Sequence, residues 1–316
     1  MLLLSFVAAC SSERKATPAA EAIAGDSVAA AAAAPSLARH VGTVTGLQTP
    51  ESARWDAETG VWFISNINGT ATGKDNNGFI SRLKFDGTAD SLKFVAGGRN
   101  GVTLHSPKGM AIVGDTLWVA DIDAVRGFNR KTAAPIASIS VPGAKILNDI
   151  AVGPDGIYIT DTGVHFETDG RMIHPGPDRV FRIVGRRVTT AMSFHGQPGP
   201  NGITWDSAIS RFVVVPYFDT IIVSWAPGDS SAKPFAVGPG MMDGVESLGG
   251  ERYLVTAGAD SSLDIIEKDR VTRLAGNLPT PADIGFDRAS GRVAVPLVST
   301  DQVELFDLGA SVMRIR

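Results

Sequence analysis

The 316-residue sequence has a single cysteine, Cys10, and this excludes an internal disulfide, a cysteine-rich zinc module and an iron–sulfur cluster. It has no excess of positive charge, with 29 Lys and Arg against 33 Asp and Glu, which argues against a nucleic-acid-binding surface. No apolar stretch after residue 40 approaches the length that crosses a bilayer. The remaining composition, 44% hydrophobic and 20% charged, is that of a globular protein with a large core.

The first 38 residues differ in composition from the rest. A short apolar run ends in two alanines before Cys10, which is typical of a lipoprotein-type signal over 1–10 with a lipidated cysteine. No Lys or Arg precedes the run, so a buried or free Cys10 is the alternative. Residues 11–38 are rich in Ala, Ser and Pro and lack aromatic residues, as in a tether. We expect an exported, membrane-anchored lipoprotein that faces the periplasm or cell exterior and contacts the membrane only through its lipid.

Beyond the tether, one pattern recurs six times: a polar residue, a small residue, a short apolar strand, a turn and a stronger apolar strand. The second positions of the six copies are Glu51, Lys108, Asn148, Asn201, Asp243 and Ala282. The copies lie about 46 residues apart on average and contain four strand-like runs each, which indicates β-propeller blades. The sequence therefore predicts an all-β, six-bladed β-propeller with four-stranded blades over residues 39–316.

The sixth copy reaches only its third strand, at 302–308. Its fourth strand could come from the N-terminal segment 40–47 or from the C-terminal segment 312–316. We predict that the N-terminal strand closes the ring, because it precedes Glu51 as the fourth strands precede the later copies. Closure of this kind also shields sheet edges.

The six second-position residues form a ring at the tunnel mouth, because the first strand of each propeller blade lines the central tunnel. Four of them carry side-chain oxygens: Glu51, Asn148, Asn201 and Asp243. Two carboxylates and two amides suit Ca²⁺, which takes six to eight oxygen ligands, and would also accept another divalent cation. One alternative is that the Asn and Asp residues only shape turns. Another is that Lys108 pairs with a carboxylate in place of the metal, or binds an anionic group of the substrate.

Two long loops are predicted on the same face, at 66–77 in blade one and 162–178 in blade three. Insertions on one face of a repeat protein usually carry binding, which makes this the candidate functional face. His165 and His174 of the second loop could act as bases, although a lone histidine in a loop is more often only solvated.

Seven short segments support a family resemblance: PESARWD (50–56), SNING (65–69), NGFISRL (77–83), SPKGMA (106–111), LNDIAV (147–152), PNGI (200–203) and PADIGF (281–286). Together they resemble the senescence-marker-protein/gluconolactonase-like family, which shares its six-bladed propeller and calcium ring with diisopropyl fluorophosphatase and the paraoxonases. The resemblance covers about residues 40–308. It implies that Glu51, Asn148, Asn201 and Asp243 are calcium ligands.

The resemblance also implies a chemistry, in which calcium polarises a lactone carbonyl or phosphoryl oxygen. Asp243 is then a ligand and candidate base or nucleophile, and Lys108, Asn66 and Asn68 are candidate contacts to a small-molecule substrate. Lys108 replaces the histidine expected at this blade in a paraoxonase-like site, so a histidine mechanism is not implied. The expected function is a calcium-dependent hydrolase of lactones or related esters. The alternative is a non-catalytic, membrane-anchored propeller that binds a ligand or a protein.

Overall fold

The computed structural model describes residues 37–167 and 169–314, which form the predicted six-bladed propeller. Each blade is a four-stranded antiparallel sheet, and the described helix, α1 (Ala310–Met313), is only four residues long. Cys10 and residues 11–36 of the predicted tether lie outside the described residues. Within the described ranges no helix has the length and hydropathy of a membrane span.

The strands follow one another along the chain in blade order, from the tunnel outward. Blades one to three consist of β2 (Pro50–Asp56), β3 (Val61–Asn66), β4 (Phe79–Lys84) and β5 (Ala89–Ala96); β6 (Pro107–Val113), β7 (Thr116–Asp121), β8 (Ala124–Asn129) and β9 (Pro135–Ser140); and β10 (Leu147–Gly153), β11 (Gly156–Asp161), β14 (Arg179–Val184) and β15 (Arg187–Ser193). The loop of blade three carries an extra hairpin formed by β12 (His165–Phe166) and β13 (Met172–Ile173).

Blades four and five repeat this order, and blade six takes its outermost strand from the N-terminal end of the described residues. Blades four to six consist of β16 (Pro200–Asp206), β17 (Arg211–Pro216), β18 (Ile221–Trp225) and β19 (Lys233–Val237); β20 (Met242–Ser247), β21 (Tyr253–Ala257), β22 (Ser262–Glu267) and β23 (Arg270–Ala275); and β24 (Gly285–Asp287), β25 (Arg292–Leu297), β26 (Gln302–Leu308) and β1 (Ala38–Val44). The predicted fold class is confirmed.

Blade six is completed by the N-terminal strand, as predicted. β1 pairs antiparallel with β26, from Ala38 opposite Leu308 to Val44 opposite Val303. Because β1 occupies the outer edge of β26, the C-terminal segment has no edge to join there. Its first residues instead form α1, whose Val312 is buried.

The hydrophobic core of the described residues lies between blades, in six clusters. Side chains alternate across a strand, so each sheet has one face for the preceding blade and one for the following blade. Trp62 of blade one, for example, packs in one cluster with Leu305 of blade six. The blades therefore stabilise one another around the axis, and polar side chains can line the tunnel without interrupting the apolar contacts.

The innermost strands of five blades share one irregularity. The register between the first and second strand shifts at the start of the blade, between residues 50 and 52 in blade one and at 107/110, 147/150, 200/203 and 242/245 in the next four. These are β-bulges, which bend a strand and re-aim a side chain. Each bulge contains the residue that the sequence places at the tunnel mouth.

Candidate metal centre at the tunnel mouth

Four side-chain oxygens at the tunnel mouth are buried and lack a hydrogen-bond partner. They are Glu51 Oε2, Asn148 Oδ1, Asn201 Oδ1 and Asp243 Oδ1. Across residues 37–167 and 169–314, every unpartnered buried side-chain oxygen belongs to this set. Each such atom costs about 1–3 kcal/mol in a protein interior, so four at corresponding positions of a ring indicate a missing partner that interacts with oxygens. The four predicted metal ligands thus have the donor chemistry that fits a hard cation.

The set consists of two carboxylates and two amides. Over the described ranges, no group of three His, Cys, Asp or Glu side chains is arranged to hold a metal ion. A cation at the mouth therefore depends on the amide oxygens of Asn148 and Asn201 as well as on Glu51 and Asp243. The amide group of Asn201 is oriented for this role, because its Nδ2 donates to Met242 O at 3.0 Å and leaves Oδ1 unpartnered.

Hydroxyl groups of the second strands hold the backbone next to three ring residues. Each accepts a hydrogen bond from the amide immediately after the ring residue: Ser65 Oγ from Ser52 N at 2.8 Å, Thr160 Oγ1 from Asp149 N at 2.9 Å, and Thr256 Oγ1 from Gly244 N at 2.8 Å. These amides lie in the bulges, where the ladder leaves them without strand partners.

Two of these hydroxyls also connect neighbouring blades. Thr160 Oγ1 donates to Asn201 O at 2.6 Å, and Thr256 Oγ1 donates to Ala282 O at 2.8 Å. These positioning residues were not predicted from the sequence. Their signal was a Ser or Thr near the end of the second strand in blades one, three and five.

Burial and mutual repulsion disfavour the charged forms of the ring carboxyls. Burial raises the pKa of Glu51 well above its usual range, and the charge of Asp243 raises it further. Burial likewise raises the pKa of Asp243 to about 7, with the charge of Asp149 adding to the effect. A cation bound between the two carboxyls would act in the opposite direction and favour both carboxylates.

Lys108 reaches the mouth but contacts neither ring carboxyl. Its Nζ donates to Ala71 O at 2.9 Å, to Ser106 O at 3.1 Å and to Ser106 Oγ at 2.9 Å. In the described part of the chain, no carboxylate oxygen lies within 4.0 Å of this ammonium. The direct ion pair considered from the sequence is therefore not formed. All three donors of Lys108 are used: one fastens the long blade-one loop at Ala71, and two bind Ser106 at the entry to blade two.

The two asparagines predicted to contact substrate have different environments. Asn66 is fully buried, and its amide is saturated: Nδ2 donates to Ile64 O and Ser81 Oγ, and Oδ1 accepts from Gln48 N. It therefore supports the base of the blade-one loop and presents no open polar atom. Asn68 is partly exposed in the same loop, where its Nδ2 donates to Asn77 O at 2.9 Å.

A second charged layer lies deeper in the tunnel. Arg54 Nη1 donates to Glu246 Oε1 at 2.6 Å, and Arg54 Nη2 lies 3.9 Å from both Asp149 Oδ1 and Asp283 Oδ2. Asp149 also accepts backbone hydrogen bonds from Ile150 at 2.6 Å and Ile203 at 2.9 Å. Among the described residues, the two layers thus bring five carboxyls together with the cations Arg54 and Lys108, and Arg288 acts on Glu246 from nearby. This imbalance favours a further positive charge near the mouth.

No family model and no curated protein matches this sequence. Solved structures do match the fold. A gluconolactonase from Xanthomonas campestris, described as important in glucose secondary metabolic pathways, superposes with a TM-score of 0.64 over 85% of this chain and 91% of its own, at 17% identity. The fold is that of the gluconolactonase-like six-bladed propellers.

Two further structures delimit what this gluconolactonase-like fold implies. A structural-genomics structure assigned as a gluconolactonase has a TM-score of 0.64 over 87% of this chain and 93% of its own, at 14% identity. A chain of a nidogen/laminin complex has a TM-score of 0.52 over 68% of this chain and 74% of its own, at 18% identity. The gluconolactonase-like fold therefore also resembles a chain from a protein–protein complex, and function has to be argued from the residues.

Proposed function

We propose that this protein is a calcium-dependent hydrolase of lactones or related esters. The observation that carries the proposal is the set of four unpartnered buried oxygens on Glu51, Asn148, Asn201 and Asp243. These residues would hold the ion, with Ca²⁺ favoured by the all-oxygen donor set and another divalent cation as the variant. Four protein ligands leave positions for substrate or water, since calcium takes six to eight oxygens.

When bound, calcium would supply a Lewis acid that polarises the carbonyl of the ester. The role of Asp243 is that of a ring ligand and general base. Its carboxylate takes a proton from the attacking water as the new carbon–oxygen bond forms. The ester C–O bond then breaks, and the leaving alkoxide takes up the proton held by Asp243, which gives a hydroxy acid from a lactone or an acid and an alcohol from an open-chain ester. The positioning hydroxyls of Ser65, Thr160 and Thr256 keep the bulges in the geometry that presents the ring.

The proposal gives a smaller role in substrate binding to the three residues predicted to contact substrate, Lys108, Asn66 and Asn68. Lys108 and Asn66 keep the blade-one loop in place, and only Asn68 is exposed enough to contact a substrate. The lipid anchor on Cys10 and export to the periplasm or cell exterior remain predictions from the sequence.

The test compares the purified protein with Asp243→Asn, which keeps the size of the side chain and one oxygen but removes the charge. Thermal unfolding is measured with Ca²⁺ and with chelator, and hydrolysis is measured on lactones, aryl esters and a phosphotriester. A ligand at a hundredfold excess over its Kd stabilises the folded state by about 2.7 kcal/mol. We expect calcium to stabilise the wild type, and we expect Asp243→Asn to lose most of this effect and at least a hundredfold in kcat/KM.

The matched control is Asp169→Asn, an exposed carboxylate on the blade-three loop. It should behave as the wild type in both measurements. Stabilisation by calcium without turnover of any substrate would contradict the hydrolase and favour the non-catalytic binding propeller. The absence of any calcium effect on the wild type would contradict the metal ring itself.

A further inference from the structure

The mouth face has an apolar recess to one side of the ring. Its volume is about 620 Å³, and it is lined mainly by Met172, Tyr217, Phe218, Thr220, Met241 and Ala259. These residues come from three sources: the inserted hairpin of blade three, the β17–β18 loop of blade four, and the β19–β20 and β21–β22 loops of blade five. The size lies within the range of small-molecule sites.

Three large apolar side chains are left exposed in this one recess. Met172 is 40%, Phe218 is 41% and Met241 is 44% exposed. Single exposed apolar residues are ordinary, but a contiguous group around a concave surface marks a binding site. An apolar ligand group would cover all three.

The wall of the recess is fixed by contacts behind it. The ring of Phe218 stacks on His174 with 4.6 Å between centroids, and His174 Nε2 lies 2.6 Å from Asp178 Oδ1. Asp178 is itself buried and accepts a hydrogen bond from Gly199 N at 2.6 Å. The aromatic wall is therefore held by a buried, fully bonded support, so little ordering is needed when a ligand binds.

Met241 is held on the opposite side by its backbone. It has a φ of +45°, which a non-glycine residue adopts only when its surroundings impose it. Its carbonyl accepts a hydrogen bond from Gly258 N at 2.8 Å, which ties the residue to the next loop of blade five. The exposed position of this side chain is therefore a fixed feature of the loop.

The recess lies next to the ring along the chain. Met241 precedes Asp243 by two residues, and the carbonyl of the intervening Met242 accepts the bond that orients Asn201. Tyr217, which lines the recess, lies close enough to interact electrostatically with Asp243: burial raises the pKa of Tyr217, and the charge of Asp243 raises it further. A substrate with its reacting carbonyl at Asp243 would therefore extend a substituent toward Tyr217 and Met241.

We propose that the recess binds a hydrocarbon substituent of the substrate, so that the protein prefers lactones or esters with an aliphatic chain over polyhydroxylated sugar lactones. This inference rests on the proposed function and adds a substrate class to it. A polyol needs several hydrogen-bonding partners, whereas the largest exposed side chains of the recess, Met172, Phe218 and Met241, are apolar. Asp219 Oδ1 already accepts from Thr220 N and Ile221 N, and Lys108 and Asn66 on the other side of the mouth are saturated.

The test is a series of γ-lactones with linear alkyl chains of increasing length, with gluconolactone as the polyol probe and calcium present throughout. Burying a methylene contributes about 0.8 kcal/mol, which corresponds to about a fourfold rise in kcat/KM for each added carbon. We expect this rise until the recess is filled, and a lower kcat/KM for gluconolactone. Met241→Gln, similar in size but polar, should flatten the dependence on chain length.

The control is Val271→Gln, because Val271 is 42% exposed on β23 and takes no part in the recess. It should keep both the rates and the slope of the wild type. Hydrolysis that is independent of chain length, or faster for gluconolactone, would overturn the recess proposal and leave the hydrolase intact. A dimer in sedimentation that Met241→Gln dissociates, together with a flat series, would assign the recess to a second copy and also overturn it.

Binding of decanol to the calcium-loaded protein, measured by calorimetry, separates the two proposals. If no lactone or ester is hydrolysed but decanol binds and Met241→Gln weakens it at least threefold, the hydrolase is overturned and the recess remains a site for an apolar chain. If decanol does not bind and no chain-length dependence is found, the recess proposal is overturned.

Discussion

The two charged layers of the tunnel have similar burial but opposite hydrogen-bonding states. In the deeper layer, Arg54 pairs with Glu246 and lies near Asp149 and Asp283. Both oxygens of Asp149 accept backbone hydrogen bonds and Asp283 Oδ2 accepts one from Ser52, so the unpartnered buried atom of this layer is Nε of the guanidinium and not a carboxyl oxygen. In the mouth layer, Glu51 and Asp243 have no such cation, and the facing amide oxygens are also unpartnered. The fold can therefore satisfy buried carboxyls with its own side chains where it carries the right cation. This difference supports the proposed cation site, because unpartnered buried oxygens occur in the mouth layer and are not found on the carboxyls of the deeper layer.

The largest effect is expected from removing the internal cation of the deeper layer. Arg54→Met leaves Glu246, Asp149 and Asp283 without their shared partner, and breaking a buried charge pair in this way costs about 3–5 kcal/mol. The free energy of unfolding in urea, with calcium present, measures the loss. Arg54→Lys keeps a positive charge and should recover part of the stability. A fully stable Arg54→Met protein would show that the deeper layer is not held by this guanidinium.

A smaller effect is expected from the pH dependence of the mouth layer when calcium is chelated. The folded-state pKa values of Glu51 and Asp243 are raised, that of Asp243 to about 7, so the folded protein binds more protons than the unfolded chain between about pH 4 and pH 7. Stability of the calcium-free protein should therefore fall as pH rises through this window. Calcium requires the carboxylates, so its stabilising effect should grow over the same range.

Thermal unfolding at pH 5, 6, 7 and 8, with chelator or with calcium, measures both slopes. The variant with Glu51→Gln and Asp243→Asn has no ring carboxyl to titrate, and it should flatten the calcium-free profile. The raised pKa values of Glu51 and Asp243 would be contradicted if the stability of the calcium-free wild type and that of the double variant depended on pH in the same way.

The smallest effect is expected from Lys108, which contributes charge to the mouth layer without contacting its carboxyls. Lys108→Met removes three hydrogen bonds, one of which fastens the blade-one loop at Ala71 O, at a cost of about 1–3 kcal/mol. It also removes a positive charge that would repel a cation at the ring, so at pH 8 and low salt calcium should bind about threefold more tightly. The same charge lowers the pKa of Glu51 and Asp243, so the gain should shrink at lower pH, where protons compete with calcium. Calorimetric titration measures the affinity, and hydrogen exchange at residues 69–77 measures the loosening. Weaker calcium binding in Lys108→Met would show that the lysine supports calcium binding and does not oppose it.

Much of the fold was predictable because the sequence pattern of a blade repeats along the chain. The six copies align on positions 51, 108, 148, 201, 243 and 282, and five of these positions lie in the register shifts that begin the first strands. The closing strand was also predictable, since the sixth copy lacked a fourth strand and the segment before Glu51 supplied one. Periodicity therefore determined both the architecture and the set of residues at the mouth.

The details of the site were less predictable because they depend on contacts between distant segments. The partner of Lys108 is the carbonyl of Ala71, which is 37 residues away in a loop with no repeat counterpart. Asn66 is saturated by Ser81 and Gln48, which no spacing rule connects to it. The recess joins loops of three consecutive blades, so its apolar surface exists only after these blades have packed together.

Ring closure has a consequence for the order in which the chain is made. Among the described strands, β1 comes first along the chain, and its sheet partner is β26, with Arg39 and Asp307 forming a hydrogen bond across 268 residues of sequence. During most of translation, β1 is therefore a strand without a sheet. Its exposed Arg39 and His40, and the glycine at position 42, make it a poor template for pairing with other chains. The residues that make β1 a polar outer strand in the finished propeller would therefore also protect the growing chain from aggregation until blade six has been synthesised.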